Sequence, residues 1–281
     1  MLKQAEELYI PRSEDKVINA GSNLHYTNYP VSTLGVSCKL DFEDIEDDYV
    51  MLDPIKLTIL TPGIDDDGKL LQTGGIPAAI VSNFLIKHNI VCEKTDYYSF
   101  LLLYALGTTR AKQGSLLAAL FEFKKLYDSE TPLEAVFPEL VNNHPERYRG
   151  ETLKSHCEAM HSYLRENKIM ELMHNSFEVI PVPAMLPVEA AAHVVRGNVE
   201  MVDVAELNNR TVAVMLVPYP PGIPVMMGGE TMSGEAEAIA EYLLAREKFE
   251  NEFPGYEGDI HGITREQRGD RIVFRTLCIK K

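Results

Sequence analysis

Four of the seven residues from Pro218 to Pro224 are proline, with Tyr219, Gly222 and Ile223 between them. Each proline fixes φ near about −65° and removes a backbone donor, so the stretch can be neither helix interior nor central strand. It turns the chain or shapes a pocket, and turning is the simpler use. The β-branched run Thr211–Val217 before it reads as a strand. A long helix, roughly 234–253, is expected after it. The Tyr219-Pro220 and Pro220-Pro221 bonds both tolerate cis geometry. Glu230 lies shortly before the helix, and Ser233 is placed to cap it.

The rest of the second half reads as short elements. Residues 151–165 and 169–177 carry helical patterns, and 177–182 is a short strand closed by Pro181 and Pro183. Residues 187–195 form a helix with proline in its first turn and Gly197 at its end. Strands are expected at 199–204, near 256–263 and at 271–279. In the first half, order begins with the strand Lys56–Leu60, stopped by Thr61-Pro62-Gly63. Gly74-Gly75 opens a helix with Pro77 in its first turn, and Ile90–Lys94 reads as a second strand. Phe100–Leu106 is apolar enough for a buried strand, and Leu116–Tyr127 is an amphipathic helix.

This order gives an α/β (α+β) arrangement on small sheets rather than a repeated βα unit. At roughly 100–200 residues per domain, 281 residues make one or two domains. The polar stretch Asp128–Gly150, with Pro132, Pro138 and Pro145, places a boundary near residue 130. Residues 1–130 form the first domain and 131–281 the second. Residues 1–50 are an irregular lead-in whose acidic cluster (Asp41, Glu43, Asp44, Glu46, Asp47, Asp48) reads as a solvated loop face. A start without a clear first element hints that something preceded it in an ancestral chain.

The formal net charge of −15 argues against nucleic acid and against an anionic membrane surface, and it suits cationic substrates. No apolar run reaches the ~18 residues of a membrane span. Met1–Glu7 lacks the basic and apolar regions of a signal peptide. Cys38, Cys92, Cys157 and Cys278 lie far apart with no CxxC pair, as a reducing cytosol allows. The expectation is a soluble cytoplasmic protein.

Few residues form a chemical constellation. There is no GxGxxG, no P-loop, no HExxH and no GxSxG. Asp65, Asp66 and Asp67 are consecutive and lack the following Glu of a calcium loop. His156 and His161 stand five apart, about 140° around a helix, so they do not share a face. They read as scattered surface or capping histidines. Glu93 ends an apolar strand, where α/β folds commonly place ligand-contacting groups. Taken alone, it is better explained by pairing with Lys94 or by facing water.

A resemblance changes that balance. Leu52-Asp53-Pro54-Ile55-Lys56-Leu57-Thr58-Ile59-Leu60-Thr61-Pro62-Gly63 is similar to a segment of the bacterial lysine, arginine and ornithine decarboxylases. So are Gly75-Ile76-Pro77-Ala78, Val91-Cys92-Glu93-Lys94-Thr95 and Phe121-Glu122-Phe123-Lys124-Lys125. The second half adds Pro218–Pro224, Gly229-Glu230, Phe253-Pro254-Gly255-Tyr256-Glu257 and Asp259-Ile260-His261-Gly262. The motifs fall in the family's order over about residues 50–265, and the ordered set is far more specific than any one of them. The resemblance implies a pyridoxal-phosphate enzyme of aminotransferase-like fold. Residues 1–130 would be its small subdomain and 131–281 an α+β C-terminal decarboxylase domain. It implies that Glu93 lies in the substrate pocket against the distal cation of a basic amino acid. It also implies dimers as the active unit, assembling further.

One departure matters. The family's cofactor lysine sits in a Ser-x-His-Lys-like motif N-terminal to everything matched, and no such motif occurs in this sequence. The chain therefore reads as a C-terminal portion, with no catalytic or cofactor-binding residue of its own. It would be a fragment, a half-enzyme completed by a pyridoxal-phosphate-binding large domain, or a non-catalytic module for cationic amino acids or polyamines. Asp96-Tyr97-Tyr98 stands where the lysine enzymes often have Gly-Pro-Tyr, which weighs slightly against lysine as substrate. An isolated half would expose apolar surface that the large domain normally covers.

Overall fold

The computed structural model describes residues 55–65 and 69–280. The lead-in with its acidic cluster, Cys38, Leu52-Asp53-Pro54 and Asp66-Asp67-Gly68 lie outside the described residues. The chain falls into two units that divide between Glu166 and Asn167.

The first unit is built on three antiparallel strands. β1 (Lys56–Leu60) pairs along its whole length with β3 (Ser99–Leu103), from Lys56 opposite Leu103 to Leu60 opposite Ser99. β2 (Lys94–Thr95) pairs with the other edge of β3. β3 is central, and Ser99 to Leu102 are buried, as an apolar run covered on both faces should be. The expected strand over 90–94 shrinks to Lys94–Thr95. Asn89 adopts a left-handed conformation (φ 60°), the Ile90 N–H bonds back to the Leu85 carbonyl, and Val91 is 76% exposed.

Helix α1 (Ala78–Lys87) starts directly after Pro77 and buries Ala78, Ile80, Val81, Phe84 and Leu85. Helix α2 (Arg110–Asp128) begins six residues before the expected Leu116, where Thr109 supplies the N-cap. Phe84 meets Phe123 edge-on at 5.3 Å, which joins the two helices. Each such fully buried side chain contributes about 1.5–3 kcal/mol.

Residues 131–166 belong to this unit and not to the second. Three short helices come first: α3 (Leu133–Val136), α4 (Pro138–Asn143) and α5 (Pro145–Tyr148). Pro138 and Pro145, which suggested a linker, instead occupy first helical positions. Phe137 stacks edge-on against Phe84 at 6.5 Å, and Lys87 Nζ donates to the Val136 carbonyl. Helix α6 (Leu153–Glu166) buries Leu153, His156, Cys157, Met160, His161 and Leu164 along one stripe. These contacts carry the division 36 residues past the boundary expected near 130.

In the second unit, helix α7 (Ile169–Glu178) leads to a two-residue strand β4 (Val182–Pro183). The expected strand over 177–182 survives only there, because Phe177 and Glu178 finish α7. Helix α8 (Pro187–Val195) comes next, and Glu189 caps it by accepting the Leu186 N–H at 2.9 Å. β5 (Val199–Asp203) belongs to the main sheet. Thr211 and Val212 make isolated bridges to Thr231 and Cys278, and the ladder expected over 211–217 forms only at β6 (Val217–Tyr219). The proline turn is next, with both the Tyr219-Pro220 and Pro220-Pro221 bonds cis. β7 (Glu230–Thr231) pairs with β4. A 3-10 turn at Gly234–Ala236 precedes α9 (Glu237–Glu252), and Ser233 makes no side-chain capping bond.

β8 (Asp259–His261) pairs with β6, and β9 (Thr264–Arg268) and β10 (Arg271–Ile279) complete the main sheet in the order β5-β10-β9. Its core joins Val202, Phe274 and Cys278 of the sheet to Ile239 and Leu243 of α9. Two side chains of α9 also bond the backbone of β10. Asn251 accepts the Ile272 N–H at 2.7 Å and donates to the Ile272 carbonyl at 2.8 Å. Glu247 accepts the Phe274 N–H at 2.6 Å.

Candidate functional site

Glu93 lies at a bend just before β2. Its N–H donates to the Leu101 carbonyl at 2.8 Å, which ties it to the central strand. The Asp96 N–H donates to the Ser99 carbonyl at 2.7 Å, and Asp96 Oδ1 accepts the Tyr97 N–H at 2.8 Å, so the β2–β3 turn is tight. Thr95 Oγ1 donates to Ser82 Oγ of α1 at 2.9 Å. The backbone of Glu93 is thus held by rigid elements while its side chain is exposed. Among the described residues no side chain pairs with its carboxylate, Lys94 included. Exposed Val91 stands two residues away, and fully exposed Leu106 lies just beyond β3. An open carboxylate binds a cation weakly in water and much better once further protein excludes solvent.

Tyr98, five residues on, is buried. Its hydroxyl lies 2.6 Å from His161 Nδ1, and His161 Nε2 lies 2.9 Å from the Leu71 carbonyl. A carbonyl only accepts, so Nε2 carries the proton and Nδ1 accepts from the phenol. Burial pushes the His161 imidazole below its usual range; the Leu71 carbonyl opposes this and the Arg165 charge adds to it. Burial likewise raises the Tyr98 phenol, against the pull of Arg165. The pair needs two glycines. A Cβ on Gly63 would lie 2.4 Å from the Tyr98 ring, and one on Gly75 would lie 2.0 Å from His161 Nδ1.

His156 is also fully buried, 2.9 Å from Glu151, whose other oxygen accepts from Arg147 at 2.7 Å. Burial raises the Glu151 carboxyl, but the hydrogen bonds and charges of His156 and Arg147 outweigh it and hold it below the usual range. The two histidines of α6 therefore face different partners, as their spacing required, but as buried locks rather than surface groups. The Gly-Gly before Ile76 was the one sequence sign of a close approach there. Among the described residues no group of three His, Cys, Asp or Glu is arranged for a metal ion, and no helix is long and apolar enough to cross a membrane.

Pyridoxal phosphate requires an amine for its aldimine and donors around its phosphate. The first unit has a cavity of about 340 Å³. Its single lysine, Lys124, is held by Asp128 at 2.8 Å. Asp128 ends α2 and Lys124 lies one turn before it, and helix carbonyls at this end disfavour an anion. The rest of the lining is mostly hydrocarbon. These residues do not fit the cofactor.

Two mixed helix–strand units, with a carboxylate held open at a strand edge, place the chain in the α/β class. Solved structures of lysine decarboxylases resemble it. That of the constitutive enzyme of Escherichia coli superposes with a TM-score of 0.77 at 35% identity, over 84% of this chain and 33% of that one. The profile of the Orn/Lys/Arg decarboxylase major domain matches residues 34–112, and that of the family's C-terminal domain matches residues 170–280. The chain belongs to the Orn/Lys/Arg decarboxylase family. It is 44% identical over 240 residues to lysine decarboxylase LdcA of Pseudomonas aeruginosa, covering 85% of this chain and 32% of the relative. It is 36% identical over 242 residues to the biodegradative arginine decarboxylase of E. coli K12, covering 85% and 31%. The chain thus spans about a third of the length of the relatives it matches.

Proposed function

We propose that this chain is the C-terminal part of a pyridoxal-phosphate-dependent decarboxylase that releases carbon dioxide from a basic amino acid. The ordered match of both units to one family carries the reading. In it, the first unit, up to Glu166, holds the small subdomain, and the second unit, from Asn167, is the C-terminal domain. Glu93 binds the distal ammonium or guanidinium of the substrate. The cofactor comes with a large domain, and the complete protein works in the cytoplasm as an oligomer of dimers. The bare Glu93 carboxylate, with exposed Val91 two residues away, supports a surface meant to be covered. The cofactor, when bound, supplies the electron sink for loss of the carboxylate. Glu93 orients the substrate by its far end. Relatives include lysine, arginine and ornithine enzymes, so the substrate is proposed only as a basic amino acid.

The test is the purified chain with pyridoxal phosphate, followed by visible absorption before and after borohydride reduction, peptide mapping and carbon dioxide release. No specifically labelled lysine and no turnover are expected from the chain alone. Turnover is expected when a large-domain chain carrying the cofactor lysine is added, and Glu93→Gln should then raise KM more than it lowers kcat. A stoichiometric aldimine on the chain alone, with turnover, would overturn the assignment of the cofactor elsewhere. Binding of basic amino acids without turnover in the complemented pair would favour a non-catalytic module.

A further inference from the structure

Ser82 stands in the interior of α1 and is 6% exposed. The helix itself does not explain a serine there, because alanine is the better helix former and buries no polar group. The hydroxyl works outside the helix. It accepts from Thr95 Oγ1 at 2.9 Å. It also hydrogen-bonds the Cys92 thiol, which opposes the rise that burial gives that thiol. A hydroxyl has one proton and two lone pairs, so the two bonds can stand together, with Thr95 donating to Ser82 and Ser82 donating to sulfur. Cys92 and Thr95 flank Glu93, which lies at the bend. One buried oxygen therefore spans that bend.

The remaining hold on Glu93 comes from β3 alone. β2 is an edge strand of two residues, Lys94 and Thr95, opposite Leu101 and Phe100. The Glu93 N–H adds one bond to the Leu101 carbonyl. A short segment bonded along one side can hinge about that line, and ties from a helix outside the ladder remove this freedom. We propose that Ser82 is a positioning residue for Glu93: by tying both sides of the bend to α1, it fixes how the carboxylate is presented to the distal cation of a basic amino acid. The identity of the ligand rests on the decarboxylase reading, whereas the tie rests on the first unit alone. A misplacement of about 1 Å can cost about a hundredfold in rate. Loss of the tie should therefore weaken recognition of the charged end of the substrate and spare a substrate that lacks it.

Ser82→Ala and Thr95→Val each remove one hydroxyl, and Thr95→Ser keeps it. In the chain alone, amide hydrogen exchange at Glu93 should quicken about tenfold in the first two variants, while the amides of α1 keep their rates. With the large-domain chain added, kcat and KM are measured on lysine, arginine, ornithine and norleucine, which has the carbon chain of lysine without its ammonium. Ser82→Ala should raise KM for the best basic substrate about tenfold with kcat nearly unchanged, and should not move kcat/KM for norleucine. Thr95→Ser should match the parent in both measurements. Unchanged exchange at Glu93 in both hydroxyl-deleting variants overturns the tie. Equal losses on norleucine and on the basic substrate overturn the positioning role and leave a structural serine. If the parent pair turns over none of the basic amino acids, the decarboxylase reading fails and takes the ligand with it, while the exchange rates still decide the tie.

Discussion

In the first unit the buried polar groups are mostly neutral. Tyr98 and His161 share one proton line ending on the Leu71 carbonyl, and the buried Thr61 hydroxyl has no partner among the described residues. In the second unit a full charge is buried. Glu250 is completely enclosed and meets Arg265 through two bonds, at 2.6 and 2.8 Å. It also accepts the Gly258 N–H at 3.0 Å and lies 3.6 Å from Arg246. A Cβ on Gly258 would lie 1.9 Å from Arg246, so that glycine admits the second arginine. The lesson lies in how each arrangement fails. A neutral pair is cheap to bury but gives way when one ring titrates. An ionic clamp depends on every member of its shell.

The sharpest way to break this contrast is Glu250→Ala. It leaves Arg265 facing an emptied, water-poor site, and a loss of about 3–5 kcal/mol is expected. Urea unfolding with hydrogen exchange should assign the loss to residues of the second unit. A loss under about 1 kcal/mol would show that the clamp is dispensable.

Gly75→Ala comes next. The added methyl must displace the His161 ring, and overpacking of this kind costs about 1–3 kcal/mol. Unfolding midpoints would measure it, and an unchanged midpoint would mean that the His161 contact yields freely.

A smaller effect separates the units by pH. His161 is depressed in the folded state, so the unfolded chain takes up its proton first as pH falls. Its contribution is present above the unfolded value of about 6.5 and declines below it, until the folded ring titrates too. Stability measured from pH 7.5 to 5.5 should fall with pH, and His161→Gln should flatten that slope. A slope that persists in the variant would point to another group.

The smallest effect is expected from Arg268→Ala. Arg268 bridges Asp203 and Glu266 on the exposed face of the main sheet, where solvent screens the pairs. The unfolding midpoint should not move measurably. A clear drop would mean that surface pairs also matter to the second unit.

Periodicity made much of this legible. Helices α2, α6, α7, α8 and α9 follow apolar stripes or caps visible in the sequence. β1 and β3 are runs of apolar and β-branched residues with clear stops. Period alone could not show that Pro138 and Pro145 begin helices instead of ending a domain, since proline serves both purposes. Nor could it show that the run from Thr211 to Val217 pairs only in fragments, because pairing depends on distant partners. Glu93 was singled out by motif, and its local environment is a bend that neither strand-end nor ion-pair reasoning described. His156, His161 and the orphaned Thr61 hydroxyl were illegible, because burial of a polar group is decided by what packs over it.

Asn251 and Glu247 show how a helix can stand in for a missing strand. β5 covers β10 only from Arg275 to Ile279, so Ile272 and Phe274 would face that side without a ladder partner. Four residues of helix advance about 6.0 Å, and two residues of strand about 6.8 Å. The two repeats nearly coincide, so carboxylate and carboxamide groups one helical turn apart can meet alternate amides of the strand. On that stretch α9 works as a zip fastener, closing an edge that would otherwise remain open to a fourth strand from another molecule.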